Sequence, residues 1–331
     1  VKRRDFAAGL LLAAAAPAWA QQPAKQHRIA IVTSVIPAHL ISETGGDEAS
    51  RLLFAELRRL GHVEGGNLIV ERYSAEGHPE RLSVLAGEVV ARTPDLIIAG
   101  GGPVAQAFVA ATGTIPIVAV FADPVRNGLV ASLARPGSNI TGVSVDAGVE
   151  IVGKRLQMLK EAVPAALRVA YLEVSGSPET AAGPVLADAG RRLGIAVIVM
   201  PLREANRAEY ERAFAEMAQQ RIDALLISDQ GEALAYRQLI VELAEKYRLP
   251  TMCAALDFVE VGGLMAYAAD PAAVFRGIAD NVHQILNGAK PGIIPVVQPT
   301  KFEFLINLNT AQALNLVIPP VLLAAADRVF E

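Results

Sequence analysis

Asp95-Leu96-Ile97-Ile98-Ala99-Gly100-Gly101-Gly102-Pro103-Val104-Ala105-Gln106-Ala107-Phe108 is an apolar run that ends in three glycines and reopens, through a proline, as a helical pattern. An apolar run without polar alternation is a strand buried on both faces, which belongs in a parallel sheet covered by helices on each side. The glycines allow a tight turn, and a proline in the first turn of the next segment is pre-set for a helix start. Strand, tight turn and helix is the unit of an α/β fold. Upstream, the same reading predicts strands over 28–33 and 67–73 and helices over 46–60 and 79–92; downstream it predicts a helix over 104–112 and a strand over 116–121.

The order then starts again, with strands expected over 167–174, 195–200, 223–228 and 250–254 and helices over 178–193, 207–220 and 232–247. The two passes match in places: Pro94-Asp95-Leu96-Ile97-Ile98 answers Ile222-Asp223-Ala224-Leu225-Leu226, and Arg59-Leu60-Gly61 answers Arg192-Leu193-Gly194. A chain of 331 residues exceeds one hydrophobic core, since single domains commonly hold about 100–150 residues. The expectation is therefore an α/β protein of two Rossmann-like lobes with parallel sheets. A polar, glycine-containing stretch over 138–148 with an extended centre would form the hinge.

Composition narrows the function. The chain carries 30 basic and 34 acidic residues, a formal charge of −4, which argues against nucleic acid as a partner. Its one cysteine, Cys253, lies in the apolar stretch 249–256, so no intrachain disulfide can form and a buried, inert thiol is expected. The N-terminal Lys2-Arg3-Arg4-Asp5-Phe6, the apolar run 7–16 and the small-x-small Ala18-Trp19-Ala20 have the three parts of an export leader, twin-arginine in type, cleaved near Ala20. The apolar run is far short of the roughly 20 residues that cross a bilayer. The expected location is the periplasm.

In open parallel sheets, ligands bind outside the carboxyl ends of the strands, where loops vary and helix N-termini present unpaired N–H groups. Those loops offer Thr33 and Ser34, then Gly101 and Gly102, then Phe121 and Asp123 in the first pass, and Ser175, Ser228 and Asp229 in the second. Each has a plain structural reading as well: the serines as helix caps, Asp123 as a turn residue before Pro124, Phe121 as a core aromatic. Gly100-Gly101-Gly102-Pro103-Val104-Ala105 also fits G-x-G-x-x-A, with Asp123 where a dinucleotide fold places its ribose acid. That keeps a nicotinamide-dependent oxidoreductase open as an alternative, although two βα units precede the loop. No nucleophile elbow, zinc-binding pair or Walker loop is present, and the five histidines are scattered without metal-ligand spacing.

The stretches Phe121-Ala122-Asp123-Pro124-Val125, Gly128 to Gly137 and Asn139-Ile140-Thr141-Gly142-Val143-Ser144 resemble the signature of the tryptophan/tyrosine-type family of ABC transporter periplasmic substrate-binding proteins. So do Phe258-Val259-Glu260 with Gly262-Gly263-Leu264-Met265, and Gln298-Pro299-Thr300-Lys301-Phe302-Glu303 with Ile306-Asn307-Leu308 and Ile318-Pro319-Pro320. Gly61, Val63-Glu64-Gly65, Asn67-Leu68 and Glu71 extend the likeness over nearly the whole chain after the leader. The resemblance implies a type I periplasmic-binding-protein fold whose lobes are joined by three crossing segments and close on a ligand. It divides the chain into a leader over 1–20, a first lobe of 25–141 plus about 257–290, and a second lobe of 142–256 plus about 295–331. It implies a monomeric solute receptor, not an enzyme, with no cofactor, handing a small ligand to an inner-membrane permease.

The ligand so implied is an amino acid or an aromatic or other organic acid. Gly101 and Gly102 would donate N–H groups to a carboxylate and Thr33 and Ser34 would add hydroxyls. Asp123 or Asp229 would pair an ammonium, with Ser175 and Ser228 on the same rim. Phe121 and Tyr267 would flank a ring. Two departures bear on this: only glycines occupy the second loop, where the family commonly has polar side chains, and Ala266-Tyr267-Ala268 replaces Ser-Tyr-Gly. A ligand-presenting subunit of a membrane sensor is the other alternative.

Overall fold

The computed structural model describes residues 26–44, 47–145, 150–174, 182–228 and 231–331. The first half alternates β1 (His27–Thr33), α1 (Glu48–Arg59), β2 (Leu68–Ser74), α2 (Leu82–Ala91), β3 (Leu96–Gly100), α3 (Gly102–Ala111), β4 (Ile117–Phe121) and β5 (Ile140–Ser144). The five strands form one parallel sheet in the order β2-β1-β3-β4-β5. Side chains leave a strand on alternate faces, and both faces here are apolar. Ala30, Val32, Ile97, Ala99, Ile117 and Ala119 pack on Ala86 and Val89 of α2 and Phe108 of α3. Ile29, Ile31, Leu96, Ile98 and Val118 pack on Leu53, Phe54 and Leu57 of α1. Each fully buried side chain of this size contributes about 1.5–3 kcal/mol, so the uninterrupted apolar strands are what hold the sheet between its helices. The Asp47 carboxylate accepts the Ser50 N–H at 3.1 Å and fixes where α1 begins.

The second half runs α4 (Glu150–Ala162), β6 (Arg168–Val174), α5 (Ala182–Leu193), β7 (Ala196–Leu202), α6 (Arg207–Gln219), β8 (Ala224–Ile227), α7 (Gly231–Ala235), α8 (Arg237–Lys246), β9 (Thr251–Cys253), α9 (Asp257–Glu260) and β10 (Met265–Ala269). Then follow α10 (Pro271–Leu286), β11 (Phe302–Asn307), α11 (Leu308–Ala313), α12 (Pro320–Ala325) and β12 (Arg328–Phe330). The seven-stranded sheet has the order β12-β11-β10-β9-β8-β6-β7. From β7 to β10 it repeats the parallel order of the first sheet, and β11 returns antiparallel to β10. One face packs on Tyr210, Phe214 and Met217 of α6 and Ile240 of α8; the other packs on Leu156 and Leu159 of α4 and Leu186 of α5.

The internal match read from sequence corresponds to one shared contact. Asp95 N–H donates to the Arg28 carbonyl and its carboxylate accepts the Arg28 N–H, each at 2.8 Å. Asp223 makes the same pair of bonds with Arg168, again at 2.8 Å. In both lobes an aspartate ahead of the third strand clamps the start of the first. Cys253 is buried as expected, and burial pushes its thiol up to about 12.

The chain crosses between the sheets after β5, between β10 and α10, and before β11. Helix α10 belongs to the first sheet, where Val274, Ile278 and Val282 join the cluster around Ile29 and Leu57. Val297 pairs with β5 on the third crossing: its N–H donates to the Gly142 carbonyl at 2.9 Å and its carbonyl accepts the Ser144 N–H at 2.8 Å. The second and third crossings are tied together by Asp270, whose N–H donates to the Lys301 carbonyl and whose carboxylate meets the Lys301 ammonium at 2.8 Å. Gly142 sits at φ +155°, and a Cβ there would lie 1.9 Å from the Ala119 carbonyl oxygen of β4.

Three boundaries differ from expectation. Gly142 to Ser144 stay in the first sheet, because β5 pairs along β4 through Ser144. Strand β10 joins the second sheet rather than the first, through Met265 and Ala266 beside Met252 and Cys253 of β9. The helix expected over 232–247 is broken at Tyr236 (φ −101°, ψ 16°), whose ring packs at 5.1 Å on Tyr210.

Candidate functional site

The parallel register aligns Thr33, Ser74, Gly100 and Val120 across the first sheet, so its carboxyl edge gathers the loops after β1, β3 and β4. The strand order reverses between β1 and β3, because β2 lies outside β1 on one side and β4 outside β3 on the other. Such a switch point opens a crevice at the carboxyl ends of the two strands. Thr33-Ser34 and Gly100 to Gly102 are the residues that edge it.

Their chemistry differs from expectation in part. The Thr33 side chain is buried and its hydroxyl donates to the Ile36 carbonyl at 2.7 Å, so toward a ligand it can only accept. Ser34 is half-buried, and its hydroxyl has no hydrogen bond among the described residues. Gly101 adopts φ +124°, a conformation that favours glycine, and its N–H turns back to the Ala99 carbonyl at 3.0 Å. It is therefore not the ligand donor expected of it. The donor at this edge is the half-buried Gly102, which has no backbone partner among the described residues; Val104 has none either but is fully buried, and the first N–H of α3 with a helical acceptor is that of Ala105. These orphan groups carry the positive end of the helix dipole. A Cβ on Gly102 would meet nothing within 4 Å, so a side chain has room at this position.

Phe121 and Asp123 both follow their structural readings. Phe121 is 2% exposed and belongs to the core with Leu129 and Val130, so it does not line a site. Asp123 accepts the Arg126 N–H at 3.0 Å on its carboxylate and the Asn127 N–H at 3.2 Å on its carbonyl, closing its own turn. It is not positioned as a ribose acid, and the glycine loop follows the third strand of its sheet rather than the first.

In the second sheet the order reverses between β6 and β8. Ser175 and Asp229, expected at that edge, lie outside the described residues. Ser228 is at the edge, buried, with its N–H donating to the Leu172 carbonyl at 3.1 Å. Tyr267 stands in β10, but its ring is engaged by its own lobe. Phe302 stacks on it with centroids 5.5 Å apart, the Lys154 ammonium lies 4.4 Å from its centroid, and its hydroxyl accepts from Lys154 at 2.8 Å. The buried Arg155 donates to the Tyr267 carbonyl at 2.8 Å. Tyr267 is thus a packing group of α4 and β11, not a stacking wall for a ligand.

The residue that loop reading missed is Glu173. It is 5% exposed in the last turn of pleat of β6, at the second switch point, and accepts no hydrogen bond among the described residues. Burial pushes its carboxyl up to about 7, with Arg126 from the loop after β4 pulling the other way. Arg126 belongs to the first lobe and Glu173 to the second. The signal was visible as one acid in the otherwise apolar Val169-Ala170-Tyr171-Leu172-Glu173-Val174.

Comparison with known proteins decides the class. The family described as ABC transporter substrate binding protein matches residues 32–330. The chain belongs to this family. It is 24% identical over 284 residues to a tyrosine-binding protein of Clostridioides difficile, covering 84% of this chain and 80% of that one. A conserved domain protein from Vibrio cholerae superposes with a TM-score of 0.79 at 26% identity, covering 92% of this chain and 100% of that chain. The ABC domain from Streptococcus pneumonia in complex with L-Trp gives 0.80 at 22%, with the same coverage. The two lobes are of the type I periplasmic-binding-protein kind, and this substrate-binding protein takes small ligands and is not an enzyme. The oxidoreductase alternative falls with the family match and with the turn that occupies Asp123. Among the described residues no helix is long and apolar enough to cross a membrane.

Proposed function

We propose that this protein is the exported solute-binding component of an ABC importer. As a monomer in the periplasm it holds a small carboxylate-bearing solute, an amino acid or an aromatic or other organic acid, between its lobes and delivers it to an inner-membrane permease. The observation that carries the reading is the switch point of the first sheet, where the half-buried Gly102 at the start of α3 has an N–H without a backbone partner among the described residues, at the same carboxyl edge as the loop after β1 that holds Ser34. A helix N-terminus with unpaired N–H groups favours an anion. The tyrosine-binding relative and the L-Trp complex support an amino acid as the solute. The basic start, apolar run and Ala18-Trp19-Ala20 support export.

A thermal-shift screen of the mature protein against amino acids and aromatic acids tests the binding role. A true ligand at 100 times its dissociation constant adds about 2.7 kcal/mol to stability, and small-angle scattering should then show a smaller radius of gyration. A panel that produces no stabilisation and no compaction sinks the reading. N-terminal sequencing of the periplasmic fraction should find a chain starting near Gln21; recovery of Lys2 or Arg3 there would overturn the leader.

A further inference from the structure

The receptor reading leaves Glu173 without a use. A carboxylate in a core strand, 5% exposed and with no hydrogen bond from any described residue, is costly, because a buried charge is tolerated only when paired. Nothing in the packing of β6 requires it: its neighbours along the strand, Tyr171 and Leu172, are apolar core residues of the two faces. Its position is the informative part. It stands where β6 and β8 part at the carboxyl edge, the counterpart in the second sheet of Thr33 and Gly100 in the first. Among the described residues, the one charge that acts on it comes from Arg126, in the loop after β4 of the first lobe.

We propose that Glu173 seats a cationic nitrogen of the bound solute, which makes the solute class the α-amino acids and other molecules that carry an ammonium beside a carboxylate. The inference rests on the receptor reading above. The two lobes then divide the ligand's charges: the Gly102 N–H at the start of α3 takes the carboxylate, and Glu173 takes the ammonium. A zwitterion bridging them draws the lobes together, whereas a simple acid satisfies the first lobe alone. Arg126 acts on Glu173 without a hydrogen bond to it, and a ligand ammonium adds a direct charge-assisted hydrogen bond.

Calorimetry and thermal shift with matched pairs test this: L-tyrosine with 3-(4-hydroxyphenyl)propionate, and L-tryptophan with indole-3-propionate, on wild type, Glu173→Gln and Arg126→Ala. Wild type should bind an amino acid of a pair at least about 100-fold more tightly than its deaminated partner. Glu173→Gln should weaken the amino acid at least about 30-fold, in the range set by breaking a buried charge pair, and leave the deaminated acid within about threefold. Arg126→Ala should weaken the amino acid less than Glu173→Gln does. Unchanged amino-acid affinity in Glu173→Gln, with wild-type circular dichroism, overturns the assignment and leaves Glu173 as an inter-lobe partner of Arg126. A wild type that prefers the deaminated acids overturns it while the receptor reading stands. A wild type that binds no member of either pair removes aromatic amino acids and acids as solutes, and this inference with them.

Discussion

Glu173→Gln should make the ligand-free protein more stable at neutral and alkaline pH, and the gain should vanish in acid. The perturbation keeps the shape of the side chain and removes its titration. In the folded protein burial raises the carboxyl from its ordinary value of 4.5 to about 7. Between these two values the folded chain holds a proton that the unfolded chain has released. Stability from this group is therefore whole below about 4.5, falls as pH rises toward 7, and is lost above it. At 1.36 kcal/mol per pH unit the full swing is about 3 kcal/mol. Glutamine cannot ionise, so the difference between variant and wild type should be near zero at pH 4.5 and approach about 3 kcal/mol at pH 8. Urea unfolding followed by far-ultraviolet circular dichroism at several pH values measures it, and comparing the two proteins at each pH cancels every titration they share. The lone tryptophan, Trp19, precedes the first strand of the first sheet, so circular dichroism is the more direct report on the two sheets. Parallel curves for the two proteins, or a less stable variant at pH 8, would refute the argument that Glu173 is buried against its own charge. Such a carboxylate, destabilising when alone, gains most from a bound cation, so the same variant that stabilises the apo protein should lose ligand.

Gly102→Val places a side chain at the start of α3, where a Cβ meets nothing within 4 Å; solute affinity should fall at least tenfold, about 1.4 kcal/mol, with circular dichroism unchanged, and wild-type calorimetry would count against that edge as the site. Gly142→Ala drives a Cβ to 1.9 Å from the Ala119 carbonyl oxygen, so β5 must part from β4; thermal melts should show a loss of several kcal/mol, in the range of severe core disruptions, and an unchanged midpoint would mean that the strands shift freely. His62 is 8% exposed, contacts His283 at 3.0 Å and has an Nδ1 without a partner among the described residues, and burial holds its imidazole below the usual 6.5. The unfolded chain therefore binds the proton first, and stability should drop as pH falls below about 6.5; His62→Leu should flatten that part of the urea midpoint profile, and a profile identical to wild type contradicts it. Asp123→Ala should cost about 1 kcal/mol, the worth of a lost cap, yet leave solute affinity within about threefold by calorimetry, because the carboxylate closes its own turn; a large affinity loss would return Asp123 to the site.

The strands were legible because burial on both faces writes an unbroken apolar run, and the start of α3 because Pro103 punctuates it; the Asp47 cap of α1 was not read. Sheet order was not legible. No local signal says that β2 and β7 lie outside the strands that precede them, and it is this order that creates the two switch points. Boundaries failed where a strand is short: β10 has five residues and no turn signal that distinguishes an excursion into one sheet from an approach to the other.

The site errors have one physical source, which is that a loop search ignores the twofold alternation of a strand. Phe121 shares parity with Ile117 and Ala119, both of which face the core under α2 and α3; parity alone assigns it to that core. Tyr267 shares parity with Met265, which faces α4, and that is where its ring is held by Lys154. Glu173 shares parity with Val169 and Tyr171 on the same helix-covered face. By the logic that buried the two aromatics it should have been apolar. An acid that keeps the parity of the core, at the last step before the carboxyl edge and beside the strand reversal, departs from the fold's own requirement at the one place where a ligand can compensate for the departure.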